Sequence, residues 1–281
     1  MEGGLSELDP RVARCRLVRA GREIVDEVAV EEPLEIRVDG APLVTLFRTP
    51  GDDLDLVAGF LFAEGVVEGR DDLAALAHLP GDPAGNTVGV TFSGGVEAHR
   101  ARLRRTQREH AATSACGICG ATTIAHLLAR GSPRPMPTDW RPDRLRGLDQ
   151  RLREAQSAFA RTGGLHAAAL VDAAGQLTMV REDVGRHNAV DKIVGARLRA
   201  DQWPIEEWLV VSSRAGFEIV QKAFAAGIST VVALGAPTSL ALALAERAGI
   251  PLVTFLRGDR FNVHGLPAPA GDGWSADSGA R

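Results

Sequence analysis

The second half of the chain carries the strongest constraint on the fold. "WLVVSS", "TVVALG" and "LVTFLR" are short apolar strands, and the helical runs "GFEIVQKAFAAG" and "TSLALALAERAG" lie between them. Strands separated by helices at this interval need crossovers, and right-handed crossovers lay the strands parallel in one sheet. Just upstream, "HAAALVD" and "QLTMV" flank "AAG" as a hairpin, and "HNAVDKIVGARL" has helical spacing.

The first half has another rhythm. From Val12 to Thr49, "ARCRLVRAG", "REIVDEVAV", "LEIRVDG" and "PLVTLFR" read as short strands, punctuated by Gly21, Pro33 and the Asp39–Gly40 turn. "DDLDLVAGFLFAEG" places Leu54, Val57, Ala58, Leu61 and Phe62 on one helical stripe, with Gly65 as the stop. "NTVGVTFS" is a further strand, followed by "HRARLRRTQREH" with five arginines between Arg100 and Arg108. The tail "PAPAGDGWSADSGAR" has too little apolar content to pack and is expected to be disordered. The expected architecture is therefore α/β. A β-rich part with one helix spans 1–110, an α/β core spans 111–265, and a tail covers 266–281.

A hydrophobic share of 45% over 281 residues can fill such a core. The formal charge of −4 gives no whole-chain case for nucleic acid or a membrane surface, and no apolar run reaches the roughly 18 residues of a spanning helix. The start, "MEGGLSELDPRVARCRL", lacks the apolar block of a secretory signal, which predicts a cytoplasmic protein. In a reducing compartment three cysteines do not make a disulfide framework, so a close pair points to catalysis or metal binding. Cys15 sits alone in a strand-like stretch and reads as packing.

The pair is Cys116 and Cys119, in "SACGICGATTIAHLLAR". A structural zinc site takes four ligands, usually a second CxxC pair or two spaced histidines. Here His110, His126, His166 and His187 are scattered, leaving a mixed site open. A thioredoxin-like switch needs the same spacing but usually follows a strand and an aromatic residue, whereas "TSA" precedes Cys116. Two unreactive cysteines are the plainest alternative. A nucleophilic sulfur fits the surroundings best. The reactive form is the thiolate, favoured by a helix N-terminus and by nearby arginines, and Gly117 and Gly120 clear space around the sulfurs. On its own, the arginine run reads equally well as a solvated helix face.

A second constellation is positional. "WLVV" runs into Ser212, Ser213 and Arg214. "TVVAL" runs into "GAPTS", where Thr238 or Ser239 caps the next helix. "LVTF" runs into "LRGDRFN", which supplies Arg257, Gly258, Asp259, Arg260 and Asn262. Ligands of parallel sheets bind outside the carboxyl ends of the strands, where helix N-termini attract phosphate. Arginine forks suit phosphate oxygens, and Asp259 can accept from a purine's N–H groups. An anionic, nucleotide-like ligand follows. Neither a Walker nor a GxGxxG pattern occurs, which disfavours a P-loop motor or a nicotinamide enzyme. Asp183, Arg186, His187, Asp191 and Lys192 are many polar groups for the entry to a buried helix. His187 alone is more often a structural histidine than a catalyst, and Arg186 offers a further anion contact.

With these residues in view, the chain resembles the formate dehydrogenase accessory sulfurtransferase family, FdhD. The likeness runs in order through "EEPLEIRVDG", "LVAGFLFAEGVV", "CGICG", "TGGLHAAAL" and "REDVGRHNAVDKIVG". It continues in "SSRAGFEIVQKAFAAGIST", "GAPTSLALALAERAGI" and "LVTFLRGDRFNV". The resemblance implies a cytidine-deaminase-like three-layer core, a homodimer, and passage of sulfur from a cysteine desulfurase to a molybdenum (or tungsten) bis-guanine-dinucleotide cofactor before its insertion into formate dehydrogenase. It puts the persulfide on Cys116, with Cys119 as an alternative carrier or resolving thiol. The guanine dinucleotide contact falls on Phe255, Leu256, Arg257, Gly258, Asp259 and Arg260, with guanosine diphosphate as a partial mimic. The zinc signature of deaminases is absent, and no resident metal is expected. The rival readings are a cofactor-binding chaperone without sulfur chemistry and a zinc-dependent hydrolase or deaminase.

Overall fold

Turn chemistry opens the fold. In a computed structural model that describes residues 9–82, 84–112, 124, 128 and 141–265, β1 (Val12–Arg19) and β2 (Arg22–Ala29) pair as an antiparallel ladder of their own. β3 (Glu32–Val38) and β4 (Ala41–Arg48) form a second hairpin. The two turns hold consecutive left-handed residues, Ala20–Gly21 (φ 52° and 77°) and Asp39–Gly40 (φ 48° and 78°). That is the backbone a two-residue hairpin loop requires, and Asp-Gly supplies it readily.

β3 and β4 join β5 (Leu73–His78) and β6 (Thr87–Phe92) in a four-stranded sheet of order β4-β3-β6-β5. The β3–β6 pairing is parallel and needs a crossover, which includes α1 (Asp53–Ala63). β5 has no strand signal in the sequence, because "LAALAH" lacks the β-branched residues that mark one; its ladder with β6 holds it extended. α1 departs from its expected single stripe. Of its residues only Leu54 is not buried, so the helix runs through the core rather than along its surface. It ends as expected, at the left-handed Gly65 (φ 68°). α2 (Arg100–Ala112) carries the arginine run.

Two short helices, α3 (Leu148–Ala155) and α4 (Ser157–Thr162), lead into β7 (His166–Val171) and β8 (Leu177–Asp183), the expected hairpin. α5 (Arg186–Arg199) follows, then β9 (Trp208–Val211), α6 (Phe217–Ala225), β10 (Val231–Ala233), α7 (Ser239–Ala248) and β11 (Leu252–Arg257). β9, β10 and β11 are parallel, as their spacing predicts. The segment read as a loop after the third strand is instead a hairpin: β12 (Arg260–His264) folds back antiparallel on β11. The sheet order is β12-β11-β10-β9-β7-β8.

Alternation along these strands supplies two apolar faces. Ala168, Leu170, Leu209, Val211, Val231 and Leu252 face a cluster that includes α1, α5, α6 and α7 and continues to Leu34, Ile36, Val88 and Val90 of the four-stranded sheet. Ala167, Ala169, Val210, Val232 and Val253 belong to the other cluster, with Leu148 and Leu152 of α3. Helices thus cover both faces of the larger sheet, a mixed α/β layering.

Two features bind the helices tightly. α1 and α5 cross at glycines: a methyl built on Gly59 would stand 1.9 Å from the Asp191 carbonyl oxygen, and one on Gly195 would stand 1.8 Å from that of Asp55. Nearby, the buried Lys192 ammonium reaches Asp183 Oδ2 (2.8 Å) and the Thr49 carbonyl (2.9 Å). The Thr49 N–H in turn donates to Asp183 (3.2 Å), which ties the end of β4 to the end of β8.

Candidate functional site

Strand direction decides what meets at one edge of the six-stranded sheet. β9, β10 and β11 all point their carboxyl ends there. β7 runs the other way, so its first residue, His166, arrives at the same edge, opposite Asp183 at the end of β8. Sequence reasoning placed the serine, arginine and threonine turns on this edge but did not place His166. The reversal implied by the hairpin was the available signal.

The turns after β9 and β10 lie backbone against backbone. A methyl on Gly235 would come within 2.9 Å of the Ser213 carbonyl oxygen and 3.0 Å of Arg214 Cα, so only glycine fits there. Ser212 Oγ accepts the Ala167 N–H (2.9 Å) and Ser213 Oγ donates to the Arg214 carbonyl (3.1 Å), so both hydroxyls hold the turn. The Arg214 side chain is exposed, with no hydrogen bond or ion pair among the described residues. Thr238, not Ser239, is the cap of α7: its Oγ1 accepts the Ala241 N–H (3.3 Å).

The β11–β12 corner is strained. Phe255 is left-handed (φ 55°) and 48% exposed, at a break in the β11–β12 register. That conformation costs a non-glycine residue about 1 kcal/mol, and it sets an aromatic ring at the edge. Its N–H donates to the Gly235 carbonyl (3.1 Å), fixing the corner against the β10 turn. Leu256 is fully buried in the second apolar cluster, so it can offer a ligand only its backbone. Arg257 Nη1 donates to the Leu234 and Leu256 carbonyls (2.8 and 2.7 Å). The left-handed Gly258 (φ 56°) gives its N–H to Asp149 Oδ2 (3.0 Å). Asp259 is highly exposed with Arg146 at 3.9 Å, and Arg260 is exposed.

At the other end of the edge, Arg186 and His187 begin α5. His187 Nδ1 lies 2.8 Å from Glu218 Oε2 in the first turn of α6. The His187 hydrogen bond holds the Glu218 carboxyl below its ordinary range against the effect of burial. Burial, then the charges of Arg186 and His187, push His166 below the ordinary imidazole value. Glu218 had no signal of its own in the sequence; its contact spans two helix N-termini. Behind it, Lys222 reaches both oxygens of Asp191 (2.7 and 2.9 Å). Burial pushes Asp191 up to about 6, against the pull of Lys222.

Cys116 and Cys119 lie outside the described residues, as does the tail from 266. The arginines before the pair are largely engaged: Arg100 pairs with Glu97, Arg102 with Glu68, and Arg105 donates to the Glu64 carbonyl (2.8 Å). Arg104 is exposed.

Fold and edge together define an α/β protein that sets exposed arginines and an exposed aromatic ring where its parallel strands end, the edge at which such sheets bind their ligands. Its relatives narrow this. The profile of the FdhD/NarQ family matches residues 29–268. A sulfur carrier protein FdhD of Anaeromyxobacter dehalogenans strain 2CP-1 is 46% identical over 263 residues, covering 90% of this chain and 91% of that protein. A protein of the same description from Mycobacterium tuberculosis H37Rv is 45% identical over 250 residues, covering 85% and 90%. A crystal structure from Desulfotalea psychrophila, described as a formate dehydrogenase accessory protein, shares the fold at a TM-score of 0.69 and 23% identity, covering 92% of this chain and 97% of that one. The chain belongs to the FdhD/NarQ family. Among the described residues no helix is long and apolar enough to cross a membrane.

Proposed function

We propose that this chain is a sulfur carrier serving formate dehydrogenase, with Cys116 as the carrying sulfur and the strand-end edge as the seat of a guanine-bearing substrate. The observation that carries the reading is the extent of likeness to the sulfur carrier proteins, 46% identity over 90% of the chain, around the "CGICG" pair. The Cys116 thiolate attacks the terminal sulfur of a desulfurase persulfide. A new S–S bond forms, the old one breaks, and the donor cysteine leaves as its thiolate. The S–S bond on Cys116 then breaks as a bond forms from the outer sulfur to the metal of a molybdenum or tungsten bis-guanine-dinucleotide substrate. Cys116 leaves as its thiolate, and the reduced metal supplies the two electrons that bring the sulfur to the sulfide level.

Phe255 supplies an exposed ring for a guanine, and Asp259 supplies an exposed carboxylate for its N–H groups. Ser212, Ser213, Thr238 and Leu256 shape the edge through backbone and caps, while Arg214, Arg257, Gly258 and Arg260 stand at its rim. Cys119 closes on a Cys116 persulfide to release sulfide when no acceptor is present. A cytidine-deaminase-like core, a cytoplasmic location and a homodimer belong to the same proposal. Incubation with a cysteine desulfurase and cysteine, followed by intact-mass measurement, tests it. Cys119→Ala gains a sulfur atom, the parent either gains one or closes its cysteine pair with the loss of two hydrogens, and Cys116→Ala does neither. Full loading of Cys116→Ala, with formate dehydrogenase still activated, overturns the role of Cys116.

A further inference from the structure

Arg100, Arg102, Arg104 and Arg105 fill the first two turns of α2, and no acid occurs in the sequence from Arg100 to Arg108. Both placements oppose helix stability. Cations are disfavoured at a helix N-terminus, and Arg100 and Arg104, four positions apart, repel across one turn. The helix gives up stability to present this charge. Leu103 is buried in the same apolar cluster as Val38 and Leu43, which lays α2 beside the β3–β4 hairpin. Two hollows there share Arg100 and Arg104. One, of about 290 Å³, has Val38, Leu43 and Leu103 as its floor and the exposed Ala41 and Pro42 at its lip. That is below the roughly 300–1,000 Å³ of small-molecule pockets, and it suits a partner's apolar side chain. The other, of about 480 Å³, is lined by Glu97, Arg100, Ala101, Arg104 and Arg105. Arg104 is exposed and holds no carboxylate among the described residues. The Arg100–Glu97 and Arg102–Glu68 pairs stand in water, where such pairs are weak and a partner's carboxylates can displace them.

Position separates this surface from the strand-end edge. Thr49, just past β4, bonds Asp183 at the edge, whereas Pro42 lies at the opposite end of that strand. Eight strand residues span about 25 Å, so a partner seated on the groove leaves the edge clear. α2 ends at Ala112, four positions before Cys116. At about 1.5 Å per helical residue and at most about 3.6 Å per extended one, Arg104 stands within about 30 Å of that cysteine. A docking footprint of about 800 Å² per partner is about that wide.

We propose that Arg100, Arg104 and the apolar hollow beside them dock an acidic segment, carrying one apolar side chain, of the protein that supplies the persulfide. Charge complementarity selects an acidic partner. Closeness to Cys116 selects one that must touch that sulfur, and distance from the edge selects the donor over the metal-bearing substrate. The inference rests on the sulfur-carrier reading and names where its donor sits.

The test is binding and sulfur loading of the full chain in a Cys119→Ala background, with a purified cysteine desulfurase as the probe. Arg100→Glu and Arg104→Glu each weaken association with the desulfurase by about tenfold, and each slows loading of Cys116 to match at subsaturating desulfurase. Association weakens as salt is raised, and that dependence flattens in both variants. Arg104→Lys keeps the charge and stays within about threefold of the starting protein. Arg16→Glu, an equal charge change on the exposed face of β1, has no effect. Glutathione persulfide loads every variant alike: the Cys116 thiolate takes its outer sulfur and glutathione leaves as its thiolate. That equality separates lost docking from a damaged fold. If Arg100→Glu and Arg104→Glu bind and load as the starting protein does, or lose binding to formate dehydrogenase alone, the docking assignment is overturned. If neither donor loads Cys116, the sulfur-carrier reading falls and takes this inference with it.

Discussion

Lys192 Nζ and Asp183 Oδ2 lie 2.8 Å apart with both side chains almost wholly shielded from water, and the Thr49 backbone bonds to both of them. The pair is a joint between the four-stranded and six-stranded sheets. Removing one partner strands the other's charge in a low-dielectric interior. Lys192→Met is expected to lower the unfolding free energy by about 3–5 kcal/mol in urea titrations. Pairing it with Asp183→Asn recovers part of that loss.

The α1–α5 crossing leaves no room for a methyl group. Gly195→Ala would place its Cβ 1.8 Å from the Asp55 carbonyl oxygen, and backbone cannot step aside as a flexible side chain can. The expected cost is about 3 kcal/mol in urea midpoint measurements, despite alanine's better helix propensity.

Phe255 separates stability from binding. Its left-handed backbone suits glycine, so Phe255→Gly relieves strain and is expected to raise the unfolding free energy by about 1 kcal/mol. The same variant removes the exposed ring and weakens guanosine diphosphate binding by about tenfold. Calorimetry and urea titration of one protein check both signs.

Asp191 gives a pH signature of unusual direction. An unfolded aspartate ionises near 3.8, while burial holds this one up to about 6. Between these values the folded chain keeps a proton that the unfolded chain has released. Stability drawn from this carboxyl therefore falls as pH rises from about 4 to about 6, and is level above that. Relative to Asp191→Asn, which cannot ionise, the parent loses stability across that window in urea titrations. An aspartate shifted downward by its partner would show stability lost on acidification instead.

Local chemistry made much of this fold legible. Asp39–Gly40 announced a turn, the apolar runs at β9, β10 and β11 announced a parallel sheet, and Thr238 or Ser239 announced a helix cap. What stayed hidden depended on partners far along the chain. "LAALAH" becomes β5 because β6 lies beside it, and "RFNVH" becomes β12 because β11 does. Gly59 and Gly195 look like helix defects until each is seen against the other helix. On the carboxyl edge of the six-stranded sheet, position was readable from strand ends. That the Ser212 hydroxyl is spent on Ala167, or that His187 finds Glu218, follows only from three dimensions.

The glycine crossing also bears on how variation in this protein is interpreted. In a saturation screen scored by formate-dependent growth, Gly59 and Gly195 would come out as intolerant as any residue that handles sulfur. Counting surviving alleles would then assign them to the chemistry. Abundance of the folded chain, measured allele by allele, is what separates a helix that cannot close from a reaction that cannot proceed.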